Sequence, residues 1–215
     1  MAFRAILWDF GGVFTTSPFD SFNEFEREKK LPLDFIRGVN AVNHQSNAWA
    51  QLESSLIDAA TFDTLFLAES GKLGHAIPGS EVLSLIGKQI VRPRMVELLR
   101  VCKENFVNVC LTNNARTGKG TAMSGSDEYA REVSGVIELF DQVIESSKEG
   151  VRKPDRAIYR LACDRMQIHP HEVVYLDDLG VNLKPARDMG MSTIKVISES
   201  QAISDLSAVL GIDVR

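Results

Sequence analysis

Short apolar runs rich in strand-forming residues recur along the chain, and the later ones alternate with stretches of helical periodicity. The runs are Ala5–Trp8, 107–111, 142–144, 173–176 and 193–196. One helical stretch places its apolar residues at i, i+3, i+4 and i+7, namely Met95, Leu98, Leu99 and Cys102. Strands that alternate with amphipathic helices are typical of a doubly wound parallel sheet. The pattern therefore predicts an α/β fold.

The interval between the first run and residue 93 interrupts this alternation. It contains no convincing strand, and amphipathic helices are predicted at 19–30, 34–42, 48–60 and 61–70. We interpret it as a helical cap domain, residues 16–93, inserted into a core formed by residues 1–15 and 94–215. A helical elaboration of a single domain is the alternative interpretation. The aromatic residues Phe19, Phe22 and Phe25 are expected to pack inside the cap.

The composition excludes several classes of function. The 215 residues include 24 Lys and Arg against 29 Asp and Glu, a net charge of −5, with no dense basic patch that would favour nucleic acid. No run approaches the ~20 apolar residues of a membrane helix, and the N-terminus lacks the features of a signal peptide. The scattered Cys102, Cys110 and Cys163 have no metal-ligand spacing. We expect a soluble cytoplasmic protein without nucleic-acid or membrane partners.

Polar clusters stand where the predicted strands end or the next helix begins. They are Asp9, then Thr112-Asn113-Asn114, then Arg152-Lys153-Pro154, and finally Asp177-Asp178 with Asn182. Taken singly, each has an ordinary explanation as a turn residue, a helix cap or a solvated charge. Because the chemistry of such sheets collects at the carboxyl ends of the strands, we expect the clusters to converge. The Gly- and Ser-rich stretch 115–126 is predicted to be a loop near the same site.

The residue types in these clusters are sufficient for phosphoryl transfer to a carboxylate. Asp9 would attack phosphorus and form an aspartyl-phosphate. Asp9 and Asp178 would hold Mg²⁺, which prefers oxygen ligands and would offset the repulsion between an anionic nucleophile and an anionic substrate. The Thr112 hydroxyl and backbone amides at a helix start would bind phosphate oxygens. Lys153 would neutralise charge in the transition state.

Two segments carry a specific resemblance to a known family. They read EGVRKPD (residues 149–155) and YLDDLGVNLKPAR (residues 175–187). Essentially the whole chain resembles the haloacid dehalogenase superfamily of hydrolases, especially the phosphatase-like N-terminal domain of soluble epoxide hydrolases and its stand-alone relatives. The resemblance implies a Rossmann-like core with a helical cap that closes over the site. Epoxide opening belongs to a separate domain, which we do not expect in this chain.

The resemblance also implies roles for individual residues. The second of the adjacent carboxylates, Asp178, would meet the metal together with Asp9 and the backbone carbonyl of Gly11. Asp177 would support these ligands by orienting metal-bound water or the lysine. Asn182, four residues after Asp178, would lie on the same helical face. The implied phosphate-binding residues are Thr112, Asn113 and Gly12.

One position departs from the family's pattern. Phosphatases of this superfamily carry Asp-x-Asp, in which the second Asp protonates the leaving group and later activates water, whereas this chain has Asp9-Phe10-Gly11. A positioned general acid or base contributes roughly 10²–10⁴-fold in rate. We therefore expect metal binding to survive this replacement better than turnover does. His44 and His75 are candidate substitutes for the missing acid, although a surface position is the ordinary explanation for both.

Three functions are consistent with these residues. The first is a Mg²⁺-dependent phosphatase of a small phosphorylated metabolite, slowed by Gly11. The second is a phosphate-ligand binding or regulatory protein with a degenerate site. The third is a metal-free 2-haloacid dehalogenase, which the paired Asp177 and Asp178 disfavour because a metal-free site gains little from extra carboxylates beside an anionic substrate. The sequence indicates no particular oligomeric state.

Overall fold

The computed structural model describes residues 2–87, 89–117 and 126–212, and its centre is a five-stranded sheet. The strands are β1 Ala5–Trp8, β2 Val107–Thr112, β3 Gln142–Glu145, β4 Val173–Asp177 and β5 Ser192–Lys195. They are parallel and lie in the order β3-β2-β1-β4-β5. Each predicted strand is present, with its ends shifted by no more than one residue. The predicted α/β fold with a parallel, Rossmann-like sheet is confirmed.

Strand β1 occupies the middle of the sheet and is covered on both faces. Its four residues are fully buried, and Leu7 lies between Val109 of β2 and Tyr175 of β4. A strand buried on both faces requires a continuous apolar run, which is the pattern that β1 shows in the sequence. The next residue, Asp9, donates its N–H to the Leu176 carbonyl (2.9 Å). The parallel register thus brings Asp9 to the edge where β4 also ends.

Between β1 and β2 the chain forms helices that have an apolar cluster of their own. They are α1 Pro18–Lys29, α2 Phe35–Ala41, α3 Ala48–Glu53, α4 Ala59–Lys72 and α5 Gly79–Leu85, and we call residues 18–85 the helical segment. Phe22, Phe62 and Phe66 belong to this cluster, which includes no residue of the five strands. Thr15 and Val91 form an antiparallel bridge where the segment joins the sheet. The helical character agrees with the sequence, while the division into cap and core domains stays a prediction.

The predicted helix over residues 48–60 is wrong as a single element. Helix α3 ends at Glu53, and α4 begins six residues later. Ser55 has a left-handed backbone (φ 56°), which an α-helix does not accommodate. The Asp58 side chain then accepts from the Thr61 N–H (2.8 Å) as the N-cap of α4. This break leaves Glu53 at a helix end, where its carboxylate reaches the sheet side of the molecule.

Helices cover both faces of the sheet. They are α6 Pro93–Cys102, α7 Asp127–Ile137, α8 Ser146–Glu149, α9 Arg156–Met166, α10 Gly180–Asp188 and α11 Glu199–Leu210. Residues of α6, α7 and α11 pack in one apolar cluster with Trp8, whereas residues of α9 and α10 pack in a second cluster with Leu7. Because neighbouring residues of a strand point to opposite faces, β1 contributes to both clusters. Helices on the two faces therefore hold the central strand in place.

The three cysteines, Cys102, Cys110 and Cys163, are buried and free, which agrees with their scattered spacing. Among the described residues, no helix combines the length and the apolar character that a membrane crossing requires. The predicted loop at 115–126 falls mostly on residues 118–125, which lie outside the described part of the chain.

We predict that Phe66→Ala weakens the helical segment much more than Leu67→Ala. Phe66 is fully buried, whereas its neighbour Leu67 is 40% exposed on the same helix. Loss of the buried ring should lower the free energy of unfolding by about 3–5 kcal/mol, and loss of the exposed side chain by about 1 kcal/mol or less. Denaturant titration of both variants measures the difference. Equal losses of unfolding free energy in the two variants would contradict the burial of Phe66 on the inner face of α4.

Candidate active site

The carboxyl ends of β1, β2 and β4 open into one cavity of about 500 Å³. The predicted site residues that line it are Asp9, Gly11, Thr112, Asn113, Lys153, Asp178 and Asn182. Two further predicted residues stand behind this lining. Asp177 is fully buried, and Gly12 lies against the Asp178 carboxylate. The polar clusters therefore meet at one edge of the sheet, while their chemical roles stay predictions.

Lys153 is the cation at the centre of this site. Its side chain is 1% exposed, and Nζ lies 2.7 Å from Asp9 Oδ1 and 2.9 Å from Asp177 Oδ2. A buried ammonium without partners would be strongly unfavourable, so the two carboxylates are what keep it there. Although burial disfavours the charge, Asp177 and Asp9 raise the pKa of Lys153 above its usual range. Lys153 is therefore a permanent positive charge beside Asp9.

Asp177 is fully occupied by donors from its surroundings. Its oxygens accept from Lys153, from the Leu179 N–H (2.8 Å), from Asn182 Nδ2 (3.1 Å to each oxygen) and from the Tyr175 hydroxyl. The Tyr159 hydroxyl in turn donates to the Asn182 carbonyl (2.7 Å). A carboxylate with this many donors is anchored, and it has little capacity left for a metal. The geometry agrees with a supporting role for Asp177.

Asp178 has the opposite environment. It is half-buried, and no other described residue donates a hydrogen bond to its side chain. The loop after β1 passes so close that a Cβ on Gly12 would overlap Asp178 Oδ2. Gly12 also has a left-handed backbone (φ 74°), which favours glycine. The glycine thus allows the main chain to approach a carboxylate that is open to a ligand.

The site carries more negative than positive charge. Oxygens of Asp9, Asp177 and Asp178 lie within 4.8 Å of one another, and within the described ranges only Lys153 forms an ion pair with them. Burial, together with Asp177 and Asp178, raises the pKa of Asp9 well above its usual value in spite of Lys153. Burial and Asp177 raise the pKa of Asp178 to about 7. These carboxylates can hold a divalent cation, which would offset their mutual repulsion.

The surroundings of Thr112 and Asn113 differ from the phosphate site that the sequence predicts, which included backbone amides at a helix start. No helix begins directly after Thr112, because residues 113–117 are irregular. Asn113 uses its side-chain amide to bind the Lys153 main chain, accepting from the Lys153 N–H (2.9 Å) and donating to the Lys153 carbonyl (3.0 Å). Asn113 thus supports Lys153, a function that the sequence did not indicate. Phosphate binding by Thr112 and Asn113 stays a prediction.

One side of the cavity is apolar. Its lining includes Phe19, Phe22, Trp49, Ile86 and Val181. The ring of Trp49 meets those of Phe22 and Phe62 edge-on, with centroids 6.3 and 5.5 Å apart, so the wall continues into the packed cluster of the helical segment. Phe19 and Phe22, which the sequence predicts to pack inside the cap, thus also form part of the cavity wall, whereas Phe25 is not part of the lining. The spacing of these aromatic residues in the sequence is the same whether they pack inside the cap or line a cavity, so the sequence could not distinguish the two roles.

The two histidines considered as acids lie in different places. His44 lines the cavity, and its backbone carbonyl accepts from Arg152 Nη1 (3.1 Å). His75 packs its ring edge-on against Phe35 (5.1 Å between centroids) and is not part of the cavity lining. Sequence reasoning also missed Glu53, a cavity-lining residue from the helical segment that pairs with Arg152. A lone glutamate near a helix end carries no signal from which this contact could be predicted.

Comparison with known proteins places these features in a family. The model of the family described as haloacid dehalogenase-like hydrolase matches residues 3–190. The mouse protein Bifunctional epoxide hydrolase 2 is 32% identical over 98% of this chain, and this chain spans 39% of that relative's length. Sesquiterpene phosphatase astK of Aspergillus oryzae is 26% identical over 97% of both chains.

Among solved structures, a HAD family enzyme from Bacteroides thetaiotaomicron in complex with magnesium and inorganic phosphate superposes with a TM-score of 0.59. The match covers 90% of this chain and 94% of the other at 19% identity, which supports a shared fold. The family match extends over the whole segment that carries the strands β1 to β4 and the site residues. On this evidence the chain belongs to the haloacid dehalogenase-like hydrolases.

Proposed function

We propose that this hydrolase is a Mg²⁺-dependent phosphatase that uses Asp9 as its nucleophile. The observation that carries the proposal is the state of the Asp9 carboxylate at the end of the central strand. Oδ1 accepts from Lys153 Nζ (2.7 Å) and from the Phe10 N–H (2.7 Å), whereas Oδ2 accepts no hydrogen bond from any described residue. One oxygen is thus held, and the other is available to react.

The residues present fit a magnesium ion. Asp9 and Asp178 would supply carboxylate oxygens, and Gly11 would supply its backbone carbonyl. Three carboxylates face one ammonium in this site, and a divalent cation would neutralise the excess negative charge. Burial first, and then the neighbouring carboxylates, raise the pKa of Asp9 and Asp178. When bound, Mg²⁺ would supply charge neutralisation between the nucleophile and a phosphate group. The related enzyme in complex with magnesium and inorganic phosphate supports this assignment.

The reaction would proceed in two displacements at phosphorus. In the first, an Asp9 oxygen forms a bond to phosphorus while the ester P–O bond breaks, and the leaving oxygen takes a proton from water. In the second, water attacks phosphorus, its proton passes to solvent, and the bond to Asp9 breaks to release phosphate. Lys153 remains protonated throughout and offsets the negative charge that develops beside Asp9.

Gly11 stands where phosphatases of this family have an Asp, and that Asp would deliver the proton in the first step. A Cβ at Gly11 would have nothing within 4 Å, so the space for a side chain is open although the chain supplies none. Substrates with poor leaving groups depend most on a proton donor. We therefore propose slow turnover of alkyl phosphates, with faster turnover of aryl phosphates.

The apolar wall of the cavity suggests the kind of ester. Phe19, Phe22 and Trp49 line the same cavity as Asp9, and they offer aromatic surface to an apolar substituent on the phosphate. The relative named sesquiterpene phosphatase supports a substrate with such a substituent. We propose a small phosphomonoester with an apolar organic group.

Asp9→Asn should abolish the reaction. Hydrolysis of p-nitrophenyl phosphate should require Mg²⁺ and should fall ~10³-fold or more in the variant, because an amide cannot act as the nucleophile. Absorbance of released nitrophenol measures the rate. Absence of any Mg²⁺-dependent, Asp9-dependent activity would favour the binding-protein function. Halide release from 2-chloropropionate that persists in chelator would favour the dehalogenase.

Gly11→Asp should raise turnover by restoring the missing acid. The position has open space and does not require a left-handed backbone, so the variant should fold normally. We expect a gain of ~10-fold or more with an alkyl phosphate and a smaller gain with p-nitrophenyl phosphate, whose leaving group needs little help. Phosphate release from both substrates measures the two rates. An equal gain, or none, would show that proton donation does not limit this site.

Gly12→Ala should weaken Mg²⁺ binding, whereas Gly11→Ala should not. A Cβ at Gly12 would overlap Asp178 Oδ2, while a Cβ at Gly11 meets open space. Displacement of Asp178 should lower the Mg²⁺ affinity about tenfold, which corresponds to about 1.4 kcal/mol. Calorimetric titration with Mg²⁺ compares the two alanine variants. Equal affinities would contradict the role of Asp178 as a metal ligand.

A further inference from the structure

Glu53 ends helix α3 and brings a carboxylate from the helical segment to the active site. Its Oε2 accepts from Arg152 Nε (2.7 Å) and pairs with Arg152 Nη2 (2.5 Å), while its Oε1 accepts from Trp49 Nε1 (2.9 Å). The side chains of Glu53 and Arg152 are only 10% and 20% exposed. Because the pair is shielded from water, removal of one partner leaves the other as an uncompensated charge.

Two of the residues that Glu53 contacts, Arg152 and Asn113, adjoin or bind the main chain of Lys153. Arg152 directly precedes Lys153, and Asn113 binds the Lys153 N–H and carbonyl with its side-chain amide. Asn113 Nδ2 also lies 3.4 Å from Glu53 Oε2. At the far end of the lysine, Nζ contacts Asp9. A continuous path of contacts therefore joins Glu53 to Asp9.

Further hydrogen bonds join α3 and the residues on either side of it to residues 146–152. Ser146 Oγ donates to the Glu53 carbonyl (2.8 Å), and Ser55 Oγ donates to the Ser147 carbonyl (2.9 Å). Arg152 Nη1 donates to the carbonyl of His44 (3.1 Å). All of these bonds join the helical segment to residues 146–152. The contacts of Glu53 thus depend on the position of the helical segment.

We propose that Glu53 is a positioning residue that couples the seating of the helical segment to the placement of Lys153. With α3 seated, Glu53 holds Arg152 and Asn113, and these hold the Lys153 main chain so that the ammonium meets Asp9. Without the carboxylate, Arg152 loses its partner and the Lys153 main chain gains freedom. The active site is therefore assembled jointly by the sheet and the helical segment. The effect on turnover rests on the proposed function, but the effect on Lys153 does not.

Glu53→Gln tests the coupling, with Glu26→Gln as its matched control. Glu26 is also a buried glutamate of the helical segment, and its carboxylate accepts from the N–H groups of Asp34 and Ile36 (2.8 Å each). In hydrogen-exchange mass spectrometry, the peptide that contains Lys153 should exchange about tenfold faster in Glu53→Gln. Its exchange should be unchanged in Glu26→Gln. This readout requires neither substrate nor activity.

Binding and rate measurements extend the test. In the Mg²⁺-loaded protein, calorimetric titration with inorganic phosphate should show about tenfold weaker binding for Glu53→Gln and for Arg152→Gln. The double variant should bind about as weakly as either single variant, since both remove the same contact. With p-nitrophenyl phosphate, kcat should fall in Glu53→Gln and be retained in Glu26→Gln.

Several results would overturn the inference. They are unchanged exchange around Lys153 in Glu53→Gln, an equal change in Glu26→Gln, or additive losses of phosphate binding in the double variant. If Glu53→Gln fails to fold, Arg152→Lys breaks the two-nitrogen contact with a milder change, and the same exchange measurement applies. Faster exchange around Lys153 in a protein without phosphatase activity would support the coupling and would count against the proposed function alone.

Discussion

The contact of one buried ammonium with two carboxylates is the interaction on which the rest of the site depends. Lys153 can be buried only because Asp9 and Asp177 both face it. Those carboxylates follow or end neighbouring parallel strands, so the ion pairs require the register that places β1 beside β4. The apolar clusters on the two faces of the sheet keep that register. The apolar packing of the sheet thus determines the electrostatics of the site.

The surroundings then give the three carboxylates different tasks. Asp177 is saturated by four donor groups and serves to hold Lys153. Among the described residues, none donates a hydrogen bond to Asp9 Oδ2 and none other than Asp178 itself donates one to the Asp178 side chain. Burial, and after it the negative charge of the neighbouring carboxylates, raises the pKa of both Asp9 and Asp178. One cation facing three acids leaves a negative excess. The same imbalance makes the site suited to a divalent cation.

In the proposed mechanism, binding and turnover depend on different residues of this site. The candidate nucleophile Asp9, the lysine and the candidate metal ligands are present, but Gly11 supplies no acid. The helical segment adds the apolar wall and Glu53, which reaches the residues around Lys153. The proposed specificity and positioning roles therefore lie in a part of the chain that contains none of the three clustered carboxylates Asp9, Asp177 and Asp178.

The sequence by itself determined that the sheet is parallel and placed its strand ends to within one residue. It also grouped Asp9, Lys153, Asp177 and Asp178, because apolar periodicity and polar residues at strand ends are local signals. The family resemblance implied a supporting role for Asp177, but the donors that saturate it were not predicted. They come from Tyr175, Lys153, Leu179 and Asn182 at different separations in the chain. The sequence also did not predict the break after α3 or the contact of Glu53 with Arg152. That contact joins residues 99 positions apart, and only the tertiary structure brings them together.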